Sequence, residues 1–195
     1  MGIKNQSVTQ GRTTLLDAVN VLLANIGEQP INSLETEQID ESKQAERTIL
    51  EFHKEGQTKG WSWNTEFQYP FQKDSVTKEI TVPENILQFA LDPYLYAGRY
   101  QLRGQRIYDL QERRYIMEET VTEIKADVIW LLPWDDVPEA YNRWITIRAS
   151  RVFTARVLGS DALFKYTSQD ESDALVVLER VEQQQEVPNI LTGGR

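Results

Sequence analysis

The side chains best placed to do chemistry are two pairs of neighbouring carboxylates, Asp135-Asp136 and Glu118-Glu119, and the single histidine, His53. Glycoside hydrolysis needs only two carboxyl groups at a set separation, one protonating the leaving oxygen while the other activates water or attacks the sugar. Adjacent residues of a strand point to opposite faces, however, and Asp135-Asp136 stands just before Pro138, where acidic residues serve to start a helix. His53 sits between Phe52 and Lys54 in a helical pattern. A Ser-His-Asp relay built on it has no motif to mark its partners, whereas a satisfied surface or interface histidine needs none. The absence of cysteine removes thiolate nucleophiles, disulfides, iron-sulfur clusters and cysteine zinc sites. With one histidine, zinc lacks its usual nitrogen ligands as well. No Walker sequence or Gly-x-Gly-x-x-Gly loop offers a seat for nucleotides. The residues therefore predict a chain that is not an enzyme and holds no cofactor or metal, with a carboxylate-pair glycosidase as the catalytic alternative.

A second constellation suits binding. Residues 94–115 contain Arg99, Arg103, Arg106, Arg113 and Arg114 together with Tyr94, Tyr96, Tyr100, Tyr108 and Tyr115, offset by Asp109 and Glu112. Arginine beside tyrosine serves nucleic acid through phosphate contact and stacking, and serves protein interfaces, where both residue types are enriched. The plain structural reading is a strand pair with a solvated basic face. A formal net charge of −9 turns the balance away from nucleic acid. Arg99, Arg103, Arg106, Tyr100 and Tyr108 are accordingly candidate interface residues, with a nucleic-acid-binding module through the same lobe as the alternative.

The elements that must position these groups can be read from periodicity. Leu15, Val19, Leu22, Leu23 and Ile26 fall on one helical face, Thr14 with Asp17 forms a capping box, and Gly27 with Pro30 supplies the stop. This predicts a helix at about 13–27. Ala45, Ile49 and Phe52 predict a second at 40–59, ended by Gly60. From residue 61 to 134 the period changes to two. Leu87, Phe89 and Leu91 alternate with Gln88 and Ala90, and Ile124, Ala126, Val128, Trp130 and Leu132 form a longer alternating run. Gly104-Gln105 makes a two-residue hairpin turn, and Pro70, Pro83, Pro93 and Pro133 place the region among short antiparallel strands.

Helix returns at 138–159, apolar almost all the way round yet carrying Arg143, Arg148, Arg151 and Arg156, which need partners if buried. The last helix, 160–186, supplies Asp161, Asp170, Glu171, Asp173, Glu179, Glu182 and Glu186, with Leu175, Leu178 and Val181 as its apolar seam. These four arginines and the terminal Arg195 complete the candidate interface set. The fold class predicted is α+β: a four-helix bundle with an antiparallel β insertion between the second and third helices. It forms a single domain over 1–195 with a flexible tail at 187–195.

Three stretches carry a family resemblance. Ala18-Val19-Asn20 with Leu23-Ala24-Asn25-Ile26-Gly27-Glu28-Gln29-Pro30, then Lys59-Gly60-Trp61-Ser62-Trp63-Asn64, then Pro138-Glu139-Ala140-Tyr141-Asn142-Arg143-Trp144-Ile145 with Ala149-Ser150-Arg151-Val152-Phe153 resemble, in order, tail tubular protein A. That family is the adaptor or gatekeeper of short-tailed bacteriophages. The resemblance frames residues 13 to 186, is thin in the β insertion, and includes no catalytic motif. It implies a virion structural protein, assembled in the host cytoplasm and located in the tail. There it would form a homo-oligomeric, dodecameric ring joining the portal protein to the nozzle, tail tubular protein B, and letting genomic DNA pass. A glycosidase in such a setting would act on host surface polysaccharide.

The longest strongly apolar stretch, 128–134, is far short of the roughly 20 residues that cross a bilayer, and the first ten residues lack a hydrophobic signal core. The expectation is a soluble protein with no membrane partner.

Overall fold

The computed structural model describes residues 11–35, 40–159 and 166–186. Their order is α1 (Leu15–Asn25), α2 (Asp40–Gln57), β1 (Thr65–Gln72), β2 (Ile86–Leu91), a one-turn α3 (Pro93–Tyr96), β3 (Tyr100–Arg103), β4 (Arg106–Asp109), β5 (Glu123–Trp130), α4 (Glu139–Leu158) and α5 (Ser168–Glu186). The protein is mixed α+β with antiparallel sheets. Contacts divide it into a helical unit, formed by the described parts of Met1–His53 and Pro133–Arg195, and a β lobe, Lys54–Leu132.

In the helical unit, α1 starts and stops by side-chain and backbone chemistry. The Asp17 amide donates to Thr14 Oγ1 at 3.1 Å while the Thr14 amide donates to the Asp17 carboxylate at 3.0 Å. Such a cap stabilises a helix by about 1 kcal/mol. At the other end the Glu28 amide reaches the Leu23 carbonyl and the Gly27 amide the Ala24 carbonyl, a Schellman closure that requires the left-handed φ of +84° found at Gly27. Ala18, Val19, Leu22 and Leu23 are buried. Asn20 then holds the following loop, its side-chain amide donating to the Ile31 carbonyl at 3.0 Å and its oxygen accepting the Ile31 amide at 2.9 Å.

α4 packs against both α1 and α5. Tyr141, Trp144, Ile145, Ile147, Ala149 and Phe153 are buried, and the buried hydroxyls of Thr146 and Thr154 donate back to the carbonyls of Asn142 and Ser150. Its apolar girdle does not extend to the end, since Val157 and Leu158 are exposed. Asp135 and Asp136 do not start this helix. They sit in a separate 3-10 turn, Trp134–Asp136, and the N-cap position of α4 is Pro138, without a side-chain cap.

α5 begins at Ser168, where Thr167 and Asp170 repeat the capping-box geometry of α1. The start expected at 160 lies outside the described residues, as does the tail 187–195. Leu178 is fully buried, and Leu175 and Val181 are half-buried beside it.

The β lobe holds a three-stranded antiparallel sheet in the order β1-β5-β2 and the hairpin β3-β4. The alternation in β5 buries Ile124, Ala126 and Val128, which join Phe71, Ile80, Val82, Tyr100, Ile107 and Met117 in one core. Pro70 falls on the edge strand β1, opposite Lys125. A bulge between Glu66 and Tyr69 carries Gln68 at φ +54°, its amide donating to Asp127 Oδ1 at 2.8 Å. The hairpin turns at Gly104, φ +61°, with Arg103 paired to Arg106.

Four further amide side chains tie the chain to itself, three through backbone and one through a hydroxyl. In the lobe, Asn64 donates to the carbonyls of Gln57 (3.1 Å) and Trp130 (2.9 Å) and accepts the Trp61 amide at 2.8 Å. Gln57 donates to the Leu132 carbonyl at 3.0 Å and accepts the Leu132 amide at 2.9 Å. In the helical unit, Asn142 donates to the Trp134 carbonyl at 3.1 Å, and Asn25 donates to the Ser150 hydroxyl.

Candidate interaction surfaces

In the lobe, three of the five arginines of residues 94–115 take distinct roles: one holds structure and two face outward. Arg99 is turned onto Asp109, with its Nε and Nη2 donating to Oδ2 at 2.9 and 2.7 Å, and Nη2 also donates to Glu118 at 2.9 Å. The other Asp109 oxygen accepts the amides of Gln111 and Glu112. Burial pushes the Asp109 carboxyl up, but the guanidinium and these two amides outweigh it and hold the group below the usual carboxylate range. The same bonds, from Asp109 first and Glu118 second, raise Arg99. Tyr100 is buried in the lobe core, and desolvation raises its phenol. Arg99 and Tyr100 therefore support the loop from beneath.

Arg103 and Arg106 flank the Gly104 turn. The Arg103 guanidinium lies 3.8 Å over the ring of Tyr108 and that of Arg106 lies 4.0 Å over Tyr115. The two rings meet edge to face at 4.9 Å. Arg106 also donates weakly to Glu79, at 3.2 and 3.3 Å. The structure thus brings Arg103, Arg106 and Tyr108 together with Tyr115 into one surface, two touching rings with a guanidinium over each. Just before the hairpin, α3 displays Tyr94 and Leu95, 96% and 59% exposed, on a turn capped by Asp92. Their exposure could not be read from a pattern of alternating residues, because a single helical turn has no periodicity to measure.

In the helical unit the four arginines of α4 diverge. Arg151 and Arg148 both face Glu171 of α5, the latter at 3.8 Å, and Arg148 also lies 4.9 Å over the ring of Phe52. Arg156 bonds instead to Glu51 of α2, at 3.0 and 3.3 Å, and holds that carboxyl below its ordinary range. Arg143 lies 5.4 Å over Tyr166. The complementary charge of the last helix therefore accounts for two of the four. Arg195 lies outside the described residues.

Of the residues weighed for catalysis, Glu118 and His53 are engaged within the fold. Glu118 is the second carboxylate on Arg99, and Glu119 is largely exposed with Lys78 at 3.9 Å. Asp135 and Asp136 are exposed in their 3-10 turn. His53 is buried, not on the surface, with the rings of Trp134 and Tyr141 at 5.4 and 5.7 Å; the Tyr141 hydroxyl donates to its carbonyl at 2.6 Å. Among the described residues no group of three or more metal-ligating side chains converges, and no helix is long and apolar enough to cross a membrane.

The surfaces so built are an exposed arginine and tyrosine face on the lobe and arginine-carboxylate pairs on the helices. The chain belongs to the tail tubular protein family, whose model matches residues 16–188, and is thus a tail structural protein of short-tailed phages. Comparison with curated proteins gives no match.

Proposed function

We propose that the protein is the adaptor and gatekeeper of the tail, a homo-oligomeric ring that joins the portal protein to the nozzle and lets DNA through. The ring assembles in the host cytoplasm before entering the virion, and its frame is a four-helix bundle with the β lobe inserted between the second and third long helices. The observation that carries this reading is the family match, which runs through both the helical unit and the lobe. The exposed Arg103-Tyr108 and Arg106-Tyr115 stacks support it by offering a contact surface on the lobe. In a ring, a net charge of −9 per copy gives a strongly anionic body, which duplex DNA would traverse without adhering.

The test is mass by light scattering after size exclusion, for this chain alone and mixed with the portal protein of the same genome. Binding of about one 22.6 kDa chain per portal subunit is the expected result. A portal peak that does not move at any chain concentration or salt overturns the adaptor reading.

A further inference from the structure

The lobe and α5 carry surfaces of opposite character. The Arg103 and Arg106 guanidinium groups lie over the rings of Tyr108 and Tyr115, and Arg106, which also pairs with Glu79 at 3.2 Å, remains 47% exposed. A guanidinium resting on a ring has less freedom to lose when it grips a carboxylate, so the pair is suited to carboxylate capture. On α5, Asp173, Val176 and Val177 stand at i, i+3 and i+4 and share one side of the helix. Asp173 is exposed, and the valines are 52% and 51% exposed. Beside them a groove of about 290 Å³ runs along Ala140, Arg143, Ile147, Asp170, Asp173, Ala174 and Val177, with Arg143 as its one cation. Asp170 is committed to capping the helix through Thr167, whereas Asp173 accepts the side-chain amide of Gln169 at 2.7 Å on the exposed surface. Most of the chain's carboxylate excess lies outside 54–132.

We propose that the Arg103–Arg106 face of one copy docks on the Asp173–Val177 stripe of a second copy, guanidinium against carboxylate and tyrosine rings over valines. The occupant is assigned by this charge and apolar complementarity. Two unlike patches on one chain make a head-to-tail contact, the kind that closes into a ring when the rotation between copies closes. The proposal rests on the ring reading above and says which surfaces form it.

Because the chain has no cysteine, a disulfide between Arg103→Cys and Asp173→Cys can be read without background. The two single variants are mixed, with portal protein as template, and oxidised. A reducible dimer is expected, and none with Arg47→Cys, an exposed position on α2, in place of Arg103→Cys. Separately, Arg103→Glu with Arg106→Glu should weaken ring assembly on the order of tenfold or more, and Asp173→Arg should restore most of it. Rings that form normally from the double Glu variant, or that give no disulfide, overturn the contact and leave the adaptor reading standing. Failure of the wild-type chain to assemble even on the portal overturns both. Binding of a 20-base-pair duplex that the double Glu variant loses, without any effect on assembly, overturns the second copy in favour of nucleic acid.

Discussion

Gln57 and Leu132 exchange two hydrogen bonds across 75 residues of chain, side-chain amide to backbone amide, so that the β lobe is fastened at the point where it begins and ends. Gln57 is fully buried. The same fastening runs on through Asn64, which ties the Gln57 carbonyl to that of Trp130.

Gln57→Leu keeps the bulk of the side chain and removes both of these bonds to the half-buried Leu132 backbone. A hydrogen bond contributes about 0.5–1.5 kcal/mol net, so the lobe should lose roughly 1–3 kcal/mol. Urea unfolding followed by tryptophan fluorescence reads this as a lower midpoint. A midpoint within error of wild type would show that water satisfies Leu132.

Gly60 has φ +74°, and a Cβ there would lie 2.9 Å from Ile129 Cδ1 and 3.3 Å from Thr65 Oγ1. Gly104 has φ +61° with open space around it. Gly104→Ala should therefore cost only the backbone strain, about 1–2 kcal/mol, and Gly60→Ala measurably more. Ile129→Val removes the clashing methyl, so the double variant Gly60→Ala/Ile129→Val should be less destabilised than the sum of its parts. Thermal melts of the four variants decide it.

Asp109 has its pKa held down in the folded lobe, against an unfolded value of about 3.9. The sign follows from proton counting. Below the unfolded value the unfolded chain binds the proton first, so the stability that Asp109 contributes is present above about pH 4 and is lost as pH falls through the folded value. Thermal unfolding between pH 5 and 2 should show a steep acid limb. Asp109→Asn should lower stability at pH 7 and flatten that limb; an unchanged limb would assign acid sensitivity to other carboxylates.

Asn20 holds the loop at Ile31 through a reciprocal pair much like the one at Gln57, but at a half-buried site. Asn20→Ala should cost about 1–3 kcal/mol, and Asn20→Asp no less, because it keeps the acceptor for the Ile31 amide but sets a carboxylate oxygen against the Ile31 carbonyl. Hydrogen exchange of the Ile31 amide gives the direct readout, with protection lost in the alanine variant.

What was legible in the sequence was whatever repeats or caps. The i, i+4 face of α1, the capping box at Thr14, the alternation of β5 and the Gly104 turn each depend on near neighbours in the chain, and each is found where the pattern placed it. The start of α5 expected at 160 lies outside the described residues, and the helix described begins at Ser168 behind the Thr167 and Asp170 capping box. Asp135-Asp136 looked like a helix start because acidic residues suit a first turn, and they form a separate 3-10 turn instead. Gln57 gave no signal at all, since one amide in a charged helix is indistinguishable from its neighbours until Leu132 arrives beside it. In the Arg and Tyr segment the residue types were visible, but which arginines turn inward depended on Asp109 and Glu118, partners 10 and 19 residues from Arg99.

A segment whose two ends are stapled side by side is closed on itself, and whatever sequence lies between the staples is released from the geometry of what lies outside them. A change of length or sequence within it then need not move the two chain ends that leave it, provided that the glutamine and the backbone it grips are kept.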